Sequence, residues 1–440
     1  MATCPLELRS ILAGACEDGR VDAACVAICS PRESGAVAVG SANPREDVAA
    51  SAETLFHIGS VTKAITAELV WRLIDAGRLS SSTTIVDAAP ELARLPAFAD
   101  RRLTIAHLLS HTGGIDGDVI FDAGRGKDVL RRYMAQIPHV DLLFAPAAHF
   151  SYANLAYNVL GRIVEVVGGR AFEDALRELL CGTHGLSDVA ILPEEKIRRR
   201  TALHFTRAGG KWLPSLFGPC SNIGSGTILA MSMPELARWG RALLGTGEVV
   251  RNMRESAVAL PFSHRYEGWG FGVSLFDESG RILFGHDGGT AGTTTFLRIA
   301  PRQDAAWAFA ATGHGAAAVY RQLDPVLRKA IGLDTAPVRL VRGNVPGDLA
   351  PYEGVYARHG MTFTVRRVDD ALGLSVAGAH APQILNGLIL RPLNVQVFET
   401  RIEAVAATVW ISFHDFAADG RPGLFCALER MAKRTQEHLS

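Results

Sequence analysis

The chain predicts an α+β layered fold followed by a small β-rich domain. Three observations carry that expectation. Strand-like apolar runs stand near the N-terminus and return after Gly268; helical and loop-rich material fills the region between them. Beyond a Pro- and Gly-containing stretch, about ninety residues alternate short strand-like runs with turns. Strands at both ends with helices between place the two ends in one sheet. At 440 residues, 48% hydrophobic and 20% charged, the chain suits one large domain with a sizeable core plus a smaller one.

The elements follow in order. A helix spans about Leu6 to Glu17, then strands over Ala24–Ile28 and Ala36–Val39 are joined by Ser30-Pro31-Arg32-Glu33-Ser34-Gly35, a hairpin pattern. A long helix runs from Ser60 to about Asp75 and is ended by Ala76-Gly77. Helices are expected over Thr104–Leu109, Leu155–Val167 and Met233–Leu244, the last with Pro234 in its first turn. Strands follow over Gly270–Leu275, Arg281–Gly285, Thr294–Ile299 and Ala306–Ala311, then a helix over Val319–Ile331. Leu333 to Leu349 reads as a linker, so the division is 1–335, a linker at 336–349, and 350–440. The last part has strand-like runs at Gly354–Tyr356, Phe363–Val368, Leu372–Val376, Val395–Glu399 and Val405–Phe413, a barrel or curled sheet.

Composition excludes several classes of function. Lys+Arg and Asp+Glu both number 45, which favours neither nucleic acid nor an anionic membrane as a partner. Seven cysteines, scattered from Cys4 to Cys426, form no disulfide framework; Cys25 and Cys29 read as buried strand thiols. Glu7, Arg9, Glu17 and Asp18 break any signal-peptide core, and no adequate apolar segment precedes the lipoprotein-like Leu12-Ala13-Gly14-Ala15-Cys16. The longest uncharged stretch, Trp212 to Pro234, is rich in Gly, Ser, Asn and Pro and is no membrane span. The expectation is a cytoplasmic, soluble protein.

The chemistry concentrates at Ser60-Val61-Thr62-Lys63, at the start of an apolar helix-like run. On a helix, residues three apart share a face, so the Ser60 hydroxyl and the Lys63 amine can meet. A serine becomes a nucleophile when a base takes its proton, and a partly desolvated lysine can do so at neutral pH. The chain has six lysines against thirty-nine arginines, and no other lysine follows a serine by three positions. Ser-x-x-Lys alone also fits an ordinary helix start.

Three further segments add weight. Leu108-Leu109-Ser110-His111-Thr112-Gly113-Gly114 has His107 and His111 four apart like zinc ligands. It lacks the intervening Glu and a third ligand, so a helix end and Gly-rich turn is the reading. Phe150-Ser151-Tyr152-Ala153-Asn154 places a phenol and an amide two apart before a helix. The phenol can relay protons and the amide can hold an acyl carbonyl or the lysine, although a helix cap has the same pattern. Gly285-His286-Asp287-Gly288-Gly289-Thr290-Ala291-Gly292 lies between expected strands. Such glycines let backbone N–H groups approach a substrate oxyanion, with the N–H of Ser60 as a second donor; a plain hairpin turn is the alternative.

In their order and rough spacing these segments resemble the serine β-lactamase and penicillin-binding-protein superfamily, most closely its class C branch with its esterases, D-aminopeptidases and transesterases. The resemblance covers about residues 20 to 332 and includes Gly224-Ser225-Gly226 and Leu236-Ala237-Arg238-Trp239. It implies an antiparallel sheet flanked by helices plus a helical subdomain. Tyr352-Glu353-Gly354-Val355-Tyr356 looks like the opening of the lipocalin-like domain often appended to such proteins.

Carried over residue by residue, the resemblance implies Ser60 as nucleophile and Lys63 as its proton acceptor. Tyr152 would move the proton to the leaving group, Asn154 would orient the site, and the N–H groups of Ser60 and Gly289 would form the oxyanion hole. His286 stands where β-lactamases and transpeptidases have a lysine that helps hold a carboxylate. A neutral histidine holds one poorly, which argues against β-lactamase activity as the main role and resembles the esterase, aminopeptidase and peptide-cyclising members. Pro146-Ala147 replaces the Pro-Gly of many relatives before the tyrosine loop.

The expected function is a serine hydrolase cleaving a small ester or a D-residue-containing peptide through a Ser60 acyl-enzyme. An acyltransferase or peptide-cyclising thioesterase of a natural-product pathway would use the same intermediate, and a non-catalytic binding protein would use the same fold. The partner is a small-molecule or peptidyl acyl substrate, carrier-bound in the transferase case. The mechanism requires no metal or cofactor.

Overall fold

The computed structural model describes residues 6–435 apart from 209–210, 215–217, 256, 278–281, 291, 335–340, 342, 380, 382 and 404–406. Residues 336–340 and 342 of the expected linker, with Arg281, Ala291 and Val405, therefore lie outside the described residues.

A nine-stranded antiparallel sheet positions everything else. Its order is Val48–Ala49, Ser34–Asn43, Ala23–Cys29, Ala305–Thr312, Thr293–Ala300, Phe284–Thr290, Ser274–Leu275, Gly268–Trp269 and Val258–Ala259. The first strand of the chain pairs with the last of this sheet, Ala24 opposite Ala311 and Ile28 opposite Trp307, so the two ends share one sheet as the sequence suggests. Side chains alternate between faces with period two. Ala23, Cys25, Ala27 and Cys29 join the core that includes Thr62–Asp75 and Met233–Leu243, while Ala24, Val26 and Ile28 join the core beneath Leu6–Glu17 and Ala316–Ala330. Burial on both faces explains an unbroken apolar run where a half-exposed strand would alternate.

Thr62–Asp75 is buried at every position from Thr62 to Trp71, wedged between the sheet and Asn154–Gly168. A helix buried all round carries its polar groups inward, and Lys63, Thr66 and Glu68 all lie there at 0% exposure. Met233–Leu243 starts at Ser232, whose side chain accepts from the Glu235 N–H, with Pro234 in the first turn. Among the described residues no helix is long and apolar enough to cross a membrane.

Residues 354–434 form a separate closed barrel of eight antiparallel strands in sequence order. Five strand-like runs were legible; Leu388–Pro392, Pro422–Ala427 and Arg430–Arg434 were not. Arg430-Met431-Ala432-Lys433-Arg434 buries only Met431 and Ala432, which leaves too little apolar signal in the sequence. Tyr356, Phe363, Phe398, Phe413 and Phe425 fill the interior with ring contacts such as Phe363–Phe425 at 5.1 Å and Phe398–Phe413 at 5.2 Å. With these rings packed inside, the barrel's outer surface is what meets the rest of the chain.

That surface is docked on the first part of the chain. Leu143 and Phe144 form one buried cluster with Leu424, Cys426 and Met431. Arg358 meets Asp118 at 3.0 Å, and the His359 N–H donates to Asp116 at 2.7 Å.

Candidate active site

Ser60 sits in a 3₁₀ turn, Gly59–Val61, just ahead of the helix rather than inside it. In such a turn residues three apart nearly eclipse, and Lys63 Nζ lies 3.0 Å from Ser60 Oγ. The turn lies directly on the strand Phe284–Thr290. A Cβ on Gly59 would come within 2.7 Å of the Gly289 nitrogen, and one on Gly288 within 2.0 Å of the Ile58 oxygen. Only glycines permit that approach. The sequence ended one strand at Gly285 and put the rest of the segment between strands; the structure carries that strand on to Thr290, with Gly285 to Gly289 paired to Arg298 to Thr294. The strand was cut short because its glycines, which serve contact with the Ser60 turn, read as turn residues.

Lys63 is fully buried, its Nζ also donating to the Ser225 carbonyl at 2.6 Å. The Tyr152 and Tyr157 rings lie 4.9 and 5.8 Å from Nζ. Burial, reinforced by the nearby Arg430 charge and opposed by Asp118, holds the amine well below the ordinary lysine pKa. An amine so shifted gives up its proton more readily and can serve as a base toward the adjacent hydroxyl.

Tyr152 completes the cluster, lining the same cavity as Ser60 with its ring 4.9 Å from Lys63 Nζ. Burial raises its pKa, so the phenol keeps its proton. His111 backs the ring at 4.3 Å between centroids, and its Nδ1 accepts the Ala153 N–H at 3.1 Å. The departure at Pro146-Ala147 has a geometric meaning: Ala147 adopts φ 69°, a left-handed conformation that suits glycine. Asn154 lies on the same rim, but its amide donates to Asp118 at 2.8 Å rather than to Lys63.

Asp118 leads to what the sequence missed. It binds Arg358 and also Arg430, whose Nε lies 2.6 Å away. Burial opposes ionisation, but Arg430 and Arg358 outweigh it and hold the Asp118 carboxyl below its usual range. Arg430 belongs to the barrel, yet its guanidinium lies 4.7 Å over the Tyr152 ring. The Tyr152 N–H donates to the Glu429 carbonyl at 2.9 Å, and the Met431 N–H to Ser151 Oγ at 3.1 Å. The turn that delivers these groups is Leu428-Glu429, at φ 51° and 60°, between strands that pair Ala427 with Arg430. Two-residue hairpins favour such angles, but Asn and Gly supply them at lower cost than Leu and Glu. No local signal marks Asp118 or Arg430, because their meeting depends on how the barrel docks.

His286 is buried beside Trp269 at 5.3 Å between ring centroids, its Nδ1 2.6 Å from the Asp287 carbonyl. Burial and then the Lys63 charge bring its pKa down to about 3, so it is neutral. Asp287 bridges Arg298 at 2.6 Å and Arg265 at 2.7 Å.

Two cavities meet at Ser60, Gly289 and Arg430. One of about 420 Å³ includes His57, Asn154, His204 and Thr293 in its wall. The other, about 270 Å³, includes Tyr152, Arg265, His286 and Glu429. The structure thus brings Ser60, Lys63, Tyr152, Asn154, His286 and Gly289 to one cleft and adds Asp118, Arg265, Glu429 and Arg430.

The sheet, its helical layer and this cluster define a protein of the β-lactamase and penicillin-binding-protein class. The chain belongs to the Beta-lactamase family, whose sequence model matches residues 8–331. It is 34% identical over 338 residues to Penicillin-binding protein 4 of Amycolatopsis lactamdurans, covering 71% of this chain and 87% of that protein. Over 166 residues it is 31% identical to Esterase EstB of Burkholderia gladioli, covering 34% of this chain and 42% of that protein. A crystal structure of SurE superimposes with a TM-score of 0.78 at 24% identity, over 97% of this chain and 98% of that one. That likeness extends the shared fold through the barrel.

Proposed function

We propose that this chain is a serine hydrolase that cleaves an ester or amide, in a small ester or a D-residue-containing peptide, through an acyl-enzyme on Ser60. The observation that carries the reading is a buried Lys63 amine 3.0 Å from the Ser60 hydroxyl, its pKa pushed well down by burial, with Tyr152 on the wall of the same cavity as Ser60. The similarity to an esterase and to a penicillin-binding protein supports it.

Ser60 Oγ attacks the carbonyl carbon while its proton passes to the lone pair of Lys63 Nζ. The oxyanion forms beside the N–H groups of Ser60 and Gly289, which adjoin because the turn lies on the strand. The bond to the leaving group breaks, that group takes the Tyr152 proton, and Lys63 restores it. Water entering by the reverse route releases the acid and regenerates Ser60.

The second cavity favours a further reading. Arg265, Glu429 and Arg430 wall the Tyr152 side of Ser60, where a leaving group departs and a nucleophile enters. A bound amine or alcohol there would compete with water and make the chain an acyltransferase or cyclising thioesterase.

Intact-mass spectrometry after brief exposure to p-nitrophenyl esters of several chain lengths tests both readings. Wild type gains the acyl mass and Ser60→Ala does not. An added amine that shortens the adduct lifetime and appears in product marks transfer. A wild type that gains no mass and releases no p-nitrophenol with any ester refutes the esterase reading.

A further inference from the structure

The ring cage behind Tyr152 carries a polar arrangement that the mechanism above does not use. Trp269 meets His111 at 5.1 Å, His286 at 5.3 Å and Tyr152 at 5.8 Å between centroids. His111, Trp269 and His286 are at most 1% exposed. Each has one ring nitrogen without a hydrogen-bond partner among the described residues: His111 Nε2, Trp269 Nε1 and His286 Nε2. A buried polar group left unpaired costs about 1–3 kcal/mol, and three on rings that Trp269 links, touching both histidines, form a site rather than a scatter of exceptions.

The opposite nitrogens fix what each orphan offers. Ala153 N–H donates to His111 Nδ1, so the neutral ring carries its proton on Nε2. His286 Nδ1 faces the Asp287 carbonyl and must donate to it, so Nε2 of that neutral ring is bare. Trp269 can only donate. Two donors and one acceptor in a neutral cage match a single water, which has two lone pairs and two hydrogens. A cation is repelled by two N–H groups, and an anion finds no charged side chain among these three.

We infer that one buried water accepts from His111 Nε2–H and Trp269 Nε1–H, donates to His286 Nε2, and holds the Tyr152 phenol in register with Ser60. Its second hydrogen is left over, and Tyr152 is in ring contact with all three partners. His111, Trp269 and His286 are then positioning residues that act through Tyr152, a role that rests on Tyr152 carrying protons as proposed above. The network ties the Tyr152 loop, the strand of Ser60's oxyanion partner and Gly268–Trp269 into one neutral unit.

A crystal structure of the full chain at about 1.5 Å resolution tests the site independently of any activity. A water peak within hydrogen-bond distance of all three nitrogens is expected, and its absence overturns the proposal. Trp269→Phe removes one donor while keeping a ring. It should lose or displace the water and lower kcat on a p-nitrophenyl ester about tenfold, with KM within about twofold. Wild-type kcat in that variant overturns the positioning role, because a ring that only packs loses nothing there. If no ester acylates wild type, the proposed reaction fails while the water peak still decides the site.

Discussion

The two halves of the cleft are built in different ways. Ser60 and Lys63 come from one turn and its helix, three residues apart, on a helix that is buried all round. Glu429 and Arg430 come from a barrel hairpin hundreds of residues later, held on the first part of the chain by Asp116 and Asp118. The first half depends on local geometry, the second on docking. Yet both act on the same atoms, since Arg430 stands over Tyr152 and lowers the pKa of Lys63. The barrel is thereby an electrostatic part of the cleft, not an appendage beside it.

The largest effect belongs to the local half. Lys63→Ala should cut acylation of Ser60 by about 10³-fold or more, because it removes the amine that lies 3.0 Å from the hydroxyl. The sign of the pH dependence follows from the direction of the Lys63 shift. Only the neutral amine accepts a proton, and its pKa is lowered in the fold, chiefly by burial. Acylation should therefore persist well below the ~10.4 of a free lysine and fall only as pH drops through the depressed value. A pH–rate profile that declines from pH 10 downward, as an exposed lysine would give, removes Lys63 from the base role.

Arg430→Ala tests the docked half, with a smaller effect of about ten- to a hundredfold in kcat/KM. Arg430 depresses the Lys63 pKa while Asp118 raises it. Removing the guanidinium leaves Asp118 less compensated, so the Lys63 pKa rises and the acid limb moves to higher pH. An unchanged limb together with a lower rate would mean that Arg430 acts through shape alone. A rate and limb both unchanged would separate the barrel from the chemistry and make the two halves independent.

The same contrast explains what the sequence made legible. The sheet with shared ends was readable from apolar runs at Ala24–Ile28 and Ala306–Ala311, whose burial on both faces leaves a strong signal. Ser60 and Lys63 were readable because their spacing is itself the geometry. The glycines around His286 were readable as special, but the Ser60 turn that they also accommodate was not, since it is remote in sequence. Asp118 and Arg430 left no trace, because each looks like an ordinary surface charge until the partner arrives. The strand that holds Arg430 is too polar to announce itself.

The smallest effect concerns strain on the Tyr152 loop, which lies between the two halves. Ala147 is held at φ 69° with its N–H donating to the Thr112 carbonyl at 2.8 Å, and the Ala148 N–H closes a turn on Ala145 at 3.1 Å. A left-handed non-glycine residue costs roughly 1–2 kcal/mol, and the entropy of an unfolded glycine offsets roughly 0.5–1 kcal/mol of the relief. Ala147→Gly should thus gain under about 1 kcal/mol, a rise of a degree or two in Tm for a chain this long. Ester turnover should stay within about twofold, because the Thr112 bond survives the change. A lower Tm would show that the Ala147 methyl packs usefully and that the strain is compensated there. A higher Tm with a large loss of turnover would show instead that the strained turn helps aim Tyr152, and would place local geometry and docking in one coupled device.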